Sequence, residues 1–165
     1  MKKYEFTGET KEIRLLFRTA TLHRIRATVA FGIVEVGDLG GWIEKEENLS
    51  HEGKAWVWGN AEVCGDAEVW GNAKVWGNAE VFSASHVLVI GAIGSRNGFT
   101  TFYRDKDNEI TVKCGCFLGK IDRFLEKVTQ THGDSKYALV YRAAVEVAKL
   151  QIDLSGEAPK DADEE

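Results

Sequence analysis

Residues 55 to 82 read AWVWGN AEVCGD AEVWGN AKVWGN AEVF, one pattern returning every six residues. Val57, Val63, Val69, Val75 and Val81 share a phase that Val87 continues, and Ala55, Ala61, Ala67, Ala73 and Ala79 sit two places earlier. A short fixed period is the first thing to settle in a fold argument. Ala-x-Val is a short strand whose alternate residues face the same way, here inward. Gly-Asn and Gly-Asp turn the chain, because both residue types tolerate positive φ. Three strand-and-turn units make a triangular coil of eighteen residues, so residues eighteen apart stack. Ile43 and Leu49 fit the same phase, and a two-residue insertion near His51-Glu52-Gly53 resets it to Val57.

An aliphatic residue with a small one four places later recurs at Val57/Ala61, Val63/Ala67, Val69/Ala73 and Val75/Ala79. This resembles the hexapeptide-repeat family over roughly residues 43 to 90. The resemblance implies a mainly β fold: a short left-handed parallel β-helix of about 2.5 to 3 coils, and assembly as a homotrimer, with a dimer next. The residues after each valine face outward. Eighteen-residue stacking puts Trp58 on Trp76, Cys64 on Phe82 and Trp70 on Leu88. Exposed tryptophan ladders are apolar patches that a monomer seldom leaves bare, so Trp58, Trp70, Trp76 and Phe82 are the expected oligomer interface.

Repeat stacks need capped ends. Residues 1–42 read as an N-terminal β cap, with strands at Lys3–Phe6, Ile13–Phe17 and Leu22–Thr28 and a turn at Thr7-Gly8-Glu9. Residues 91–154 read as a β-hairpin plus two helices. Strands are expected at Phe99–Arg104 and Ile110–Phe117; Ile121, Phe124, Leu125 and Val128 keep helical spacing, and Ser135 is a good N-cap for a second helix. Residues 155–165 hold Pro159, the sole proline, and an acidic excess, and are expected to be a disordered tail.

The whole chain also resembles a group of uncharacterised phage and prophage proteins. The resemblance rests on GDLGGWIE (Gly37–Glu44), the GNAxV repeats, IGSRNGFTTFY (Ile93–Tyr103), CGCFLGKI (Cys114–Ile121) and THGD (Thr131–Asp134). It implies a variable repeat number and a constant C-terminal module, which moves suspicion for function onto that module.

The formal net charge is −5, of which −4 falls in residues 157–165. A nearly neutral body and no recognised motif argue against long nucleic acids. No apolar run approaches the ~20 residues of a membrane helix, and the start lacks an apolar signal region, so the protein is expected in the cytoplasm. Cys64, Cys114 and Cys116 have no disulfide or zinc spacing. No metal and no cofactor are expected.

The expected ligand site is Ser95, Arg96 and Asn97 with Thr100, Thr101 and Tyr103. A glycine-flanked loop bares N–H groups, the hydroxyls donate, Arg96 clamps phosphate or carboxylate, and Tyr103 stacks on a ring. A hexapeptide-type acyltransferase using coenzyme A would need a histidine base, for which His51 in the inserted corner is the best placed. A Ser95-His132-Asp134 triad lacks a nucleophile-elbow context. The leading expectation is a non-catalytic, homo-oligomeric binding protein for a small anionic ligand such as a nucleotide, serving as a phage counter-defence sponge. The alternatives are the acyltransferase and a structural protein–protein interaction module.

Overall fold

The structure is a computed structural model that describes residues 1–155 and the strand at Lys160–Asp161. Strands β1 (Tyr4–Arg14) and β2 (Thr19–Ala27) form an antiparallel hairpin closed by a Leu15–Arg18 turn. The turn expected at Thr7-Gly8-Glu9 is instead a bulge within one long strand. Gly8 sits at φ +95° and the register slips between Phe6 and Thr10. A positive-φ glycine that bends a strand without ending it is a familiar bulge position. In β2, Ala20, Leu22, Ile25 and Ala27 turn inward. Strand β3 (Leu39–Ile43) pairs with β2 and leads into the repeats.

The repeats contribute four strands of two residues each: β4 (Trp56–Val57), β5 (Glu62–Val63), β6 (Lys74–Val75) and β7 (Glu80–Val81). Val57 pairs with Val75 and Val63 with Val81, both parallel and eighteen residues apart. Leu49 bridges Val69, twenty residues on, so the two extra residues are absorbed between Leu49 and Val57. Gly53 is required there. Its φ is +68°, and a Cβ would meet the Gly71 carbonyl oxygen at 2.6 Å. Ile43, Leu49, Val57, Val63, Val69, Val75 and Val81 are fully buried with the alanines between them, each valine worth about 1.5–3 kcal/mol.

The expected left-handed parallel β-helix is nevertheless not the architecture. The strands fall into separate sheets: a mixed six-stranded sheet ordered β12-β1-β2-β3-β5-β7, where β12 is Lys160–Asp161, an antiparallel four-stranded sheet, and a two-stranded parallel pair, β4-β6. The physical reason is length. Most of each repeat is turn, so its pairing stops at two residues, and the long strands of the flanks organise the sheets.

The four-stranded sheet holds β8 (Val87–Ile93), β9 (Gly98–Arg104), β10 (Ile110–Cys114) and β11 (Phe117–Lys120). The strand expected over Ile110–Phe117 is broken into a hairpin by Gly115-Cys116. Gly115 has φ +56°, which suits the first central position of a two-residue hairpin turn. Helices α1 (Ile121–His132) and α2 (Lys136–Gln151) bury Phe124, Val128, Ala144, Val145 and Ala148 against Phe102 and Val112.

This module is fastened to the last repeats by polar bonds. The Tyr103 hydroxyl donates to the Trp76 carbonyl at 3.0 Å, Arg104 Nε donates to the Glu80 carbonyl at 3.0 Å, and the Lys106 amide donates to the Asn78 carbonyl at 2.9 Å. Lys160 and Asp161 pair with Arg14 and Ile13 of β1; the other residues of the expected tail beyond Ser155 lie outside the described ones. Among the described residues no helix is long and apolar enough to cross a membrane.

Candidate functional site: a cationic cavity between repeats and module

A cavity of about 540 Å³ opens where the repeats meet the C-terminal module. The repeats supply Lys54, Asn72 and Lys74, and the β8–β9 loop supplies Ser95 and Arg96. Gly98 and Phe99 begin β9, Cys114, Gly115, Cys116 and Phe117 come from the β10–β11 hairpin, and Phe124, Lys127, Val128, Thr131 and His132 from α1, with Tyr141 from α2. Gly94 at φ +81° and Asn97 at φ +47° bend the first loop, and the Asn97 amide closes it on the Gly94 carbonyl at 3.2 Å. Asn is one of the few side chains that accepts this conformation, so Ser95 and Arg96 are held at the tip.

Four cations, Lys54, Lys74, Arg96 and Lys127, line the cavity, and no Asp or Glu stands among its described lining residues. Lys113 adds to the crowd. Its ammonium lies 5.0 Å over the Trp76 ring and donates to the Gly115 carbonyl at 2.6 Å. Burial, and then the neighbouring Lys74 charge, push its pKa down. The floor is aromatic. Tyr141 stacks on His132 at 5.7 Å and meets the Phe124 ring edge-on. Burial, reinforced by Cys114, pushes the Tyr141 hydroxyl up to about 12. A cationic rim over flat apolar walls suits an anion that carries a ring.

Of the six residues the sequence picks out, only Ser95 and Arg96 line this cavity. Asn97 shapes the loop. Thr100, Thr101 and Tyr103 are buried fasteners. The Thr100 hydroxyl donates to Cys114 Sγ at 3.3 Å, and Thr101 Oγ1 accepts the Lys74 amide at 3.1 Å. Residue order along β9 could not show this, because it leaves open which face meets the repeats. Lys54, Lys74, Lys127, Tyr141 and both cysteines were missed, and His132 entered only through the triad with Ser95 and Asp134. A signal existed for Lys74: it is the one cation at the central position of Ala-x-Val, where other repeats carry Trp or Glu.

The expected interface residues fare differently. Trp58 and Trp76 stack at 4.3 Å but are half-buried, and Phe82 lies under the Arg104 guanidinium at 5.0 Å. Trp70 alone of the four is exposed, at 67%. His51 stacks on Tyr4 at 4.1 Å, and its Nδ1 accepts the Lys3 amide at 3.2 Å. That bond occupies Nδ1 and leaves the neutral ring with its proton on Nε2, so His51 has no free acceptor nitrogen with which to act as a base. Ser95 and His132 share the cavity, but Asp134 faces Arg142 at 3.9 Å. Among the described residues no three His, Cys, Asp or Glu side chains are grouped to hold a metal. The chain matches no protein-family model, and no curated protein matches it.

Proposed function

We propose that the chain is a binding protein for a small anionic ligand bearing a flat ring, with a nucleotide as the best-fitting class. The observation that carries this reading is four cationic side chains around a cavity whose described lining has no acid and whose floor is Phe99, Phe117, Phe124, Tyr141 and His132. Phosphate is met by Arg96 and the lysines, and the base by the aromatic floor. Nothing in this arrangement requires turnover. The phage-like resemblance adds a role, that of a sponge sequestering a nucleotide signal of host defence. The acyltransferase reading loses support because the groove it needs has no free imidazole acceptor at His51.

Native mass spectrometry of the full chain isolated from cells tests the reading. A releasable phosphate-containing adduct, absent from Arg96→Ala, is expected. An adduct that survives both Arg96→Ala and Lys74→Ala would overturn the assignment of the cavity.

A further inference from the structure

The cations of the cavity lack counter-charges. Elsewhere on the surface, arginines and lysines stand against carboxylates: Arg18 against Glu44, Arg26 against Glu5, and Lys120 against Asp105, Asp107 and Glu109. Among the described residues, Lys54, Lys74, Arg96 and Lys127 have no ion-pair partner. Lys113, beside Lys74, is held below its ordinary pKa by burial and then by that neighbouring charge. Like charges gathered in one place repel and weaken the fold that holds them. The counter-charge is therefore left for a ligand to supply.

The amount and the spread of that charge identify the ligand. Thr101 joins two of the cations: its Oγ1 accepts the Lys74 amide, and it pairs with Lys113 across β9 and β10. Trp56 pairs with Lys74, so Lys54 is rooted one strand row away and two residues along, roughly 8 Å off. Arg96 stands on the β8–β9 loop and Lys127 on α1. A lone phosphate offers three terminal oxygens at one point, whereas a chain of phosphates offers charge along its length. A phosphomonoester carries about −2 at neutral pH, and each further phosphoryl group adds about −1. Only the triphosphate matches the four unpaired cations, and a dinucleotide joined by phosphodiesters carries no more than the monoester.

We propose, resting on the nucleotide reading above, that the cavity selects the polyphosphate form of its ligand: a nucleoside triphosphate over the diphosphate and monophosphate. The described lining holds no carboxylate to share a magnesium ion with the phosphates. The side chains therefore meet the phosphate oxygens directly, and magnesium competes with them for the same oxygens. A monophosphate engages only part of the cation set. Loss of Lys54 from the repeats or Lys127 from α1, both exposed at the rim, thus weakens the triphosphate more than the monophosphate.

Calorimetric titration of the full chain with the mono-, di- and triphosphates of adenosine, guanosine, cytidine and uridine, without magnesium, tests this. For whichever nucleoside binds, affinity should rise with each phosphoryl group, ~tenfold or more from monophosphate to triphosphate. Lys54→Ala and Lys127→Ala should narrow that ratio while circular dichroism stays that of the parent. Excess magnesium should weaken triphosphate binding, and inorganic tripolyphosphate should displace the nucleotide better than inorganic phosphate does. A monophosphate bound as tightly as its triphosphate would overturn polyphosphate selection and leave the nucleotide reading standing. So would a ratio untouched by both lysine changes, or triphosphate binding strengthened by magnesium. A chain that binds none of the twelve nucleotides would sink both readings.

Discussion

Trp58 and Trp76 stack face to face, 4.3 Å between centroids and 14° from parallel, eighteen residues apart in the chain. Both are half-buried, and the Lys113 ammonium sits over Trp76. The pair therefore ties two successive turns of the repeats to the module as one packed unit. Trp76→Ala should cost about 2–3 kcal/mol, read by urea denaturation. Trp70→Ala should cost under about 0.5 kcal/mol, as exposed substitutions do. Equal losses at the two positions would contradict the packing described.

Asp105 is the polar hub of the β9–β10 connection. Its Oδ1 accepts the amides of Asp107 and Glu109, and its Oδ2 accepts the Thr111 hydroxyl and the Lys120 ammonium at 2.7 and 2.8 Å. It is buried, so Asp105→Ala takes the acceptor from the amides of Asp107 and Glu109 and from the Thr111 hydroxyl, while Lys120 keeps Asp107 Oδ2 at 3.0 Å. A loss of about 2–3 kcal/mol is expected, with the β9–β10 connection opening in hydrogen exchange. A change below about 1 kcal/mol would show that water replaces the carboxylate.

His86 makes the fold sensitive to mild acid. Its Nδ1 accepts the Phe82 amide at 3.1 Å, and burial, with the Arg104 charge second, lowers its pKa to about 4 from 6.5. The unfolded chain therefore takes up a proton near pH 6.5 that the folded chain refuses until about pH 4. The stabilisation is complete above pH 6.5 and is lost as pH falls from there towards 4. Denaturation midpoints at pH 7 and pH 5 should differ, and His86→Asn, which keeps an acceptor without a proton site, should shrink that difference. An unchanged difference would assign the acid sensitivity to other groups.

The thiols should separate by reactivity. Cys116 is exposed on the β10–β11 turn and lines the cavity, whereas Cys64 is enclosed and its thiol is pushed up to about 12, chiefly by burial. Iodoacetamide should label Cys116 in the native chain and spare Cys64 until unfolding, because the thiolate is the reactive form. A bound nucleotide should slow labelling of Cys116. Native labelling of Cys64 would contradict the packing that places it with Trp42 and Phe82.

Much of this was legible in the residues. The valine phase, the insertion at His51–Gly53 and the Trp58–Trp76 stack follow from period alone, because an eighteen-residue offset dictates what lies over what. The sheet architecture did not follow. Period says which residues stack, but not that pairing would stop after two residues, nor that Gly8 would bulge a strand in place of ending it. The cavity was half legible. Ser95 and Arg96 stand on a loop whose glycines advertise exposure, whereas Lys54, Lys127 and Tyr141 come from three distant segments that meet only once the module docks on the repeats.

The most direct test of the central claim is a calorimetric titration of the full chain with a nucleotide panel, set against the parent nucleosides and inorganic phosphate. The account predicts saturable one-site binding of a nucleotide, weakened at least tenfold by Arg96→Ala, about 1.4 kcal/mol or more, and by added salt, with nucleoside and phosphate alone each bound far more weakly. Binding of nucleosides as tight as nucleotides, or nucleotide affinity untouched by both Arg96→Ala and Lys74→Ala, would contradict it.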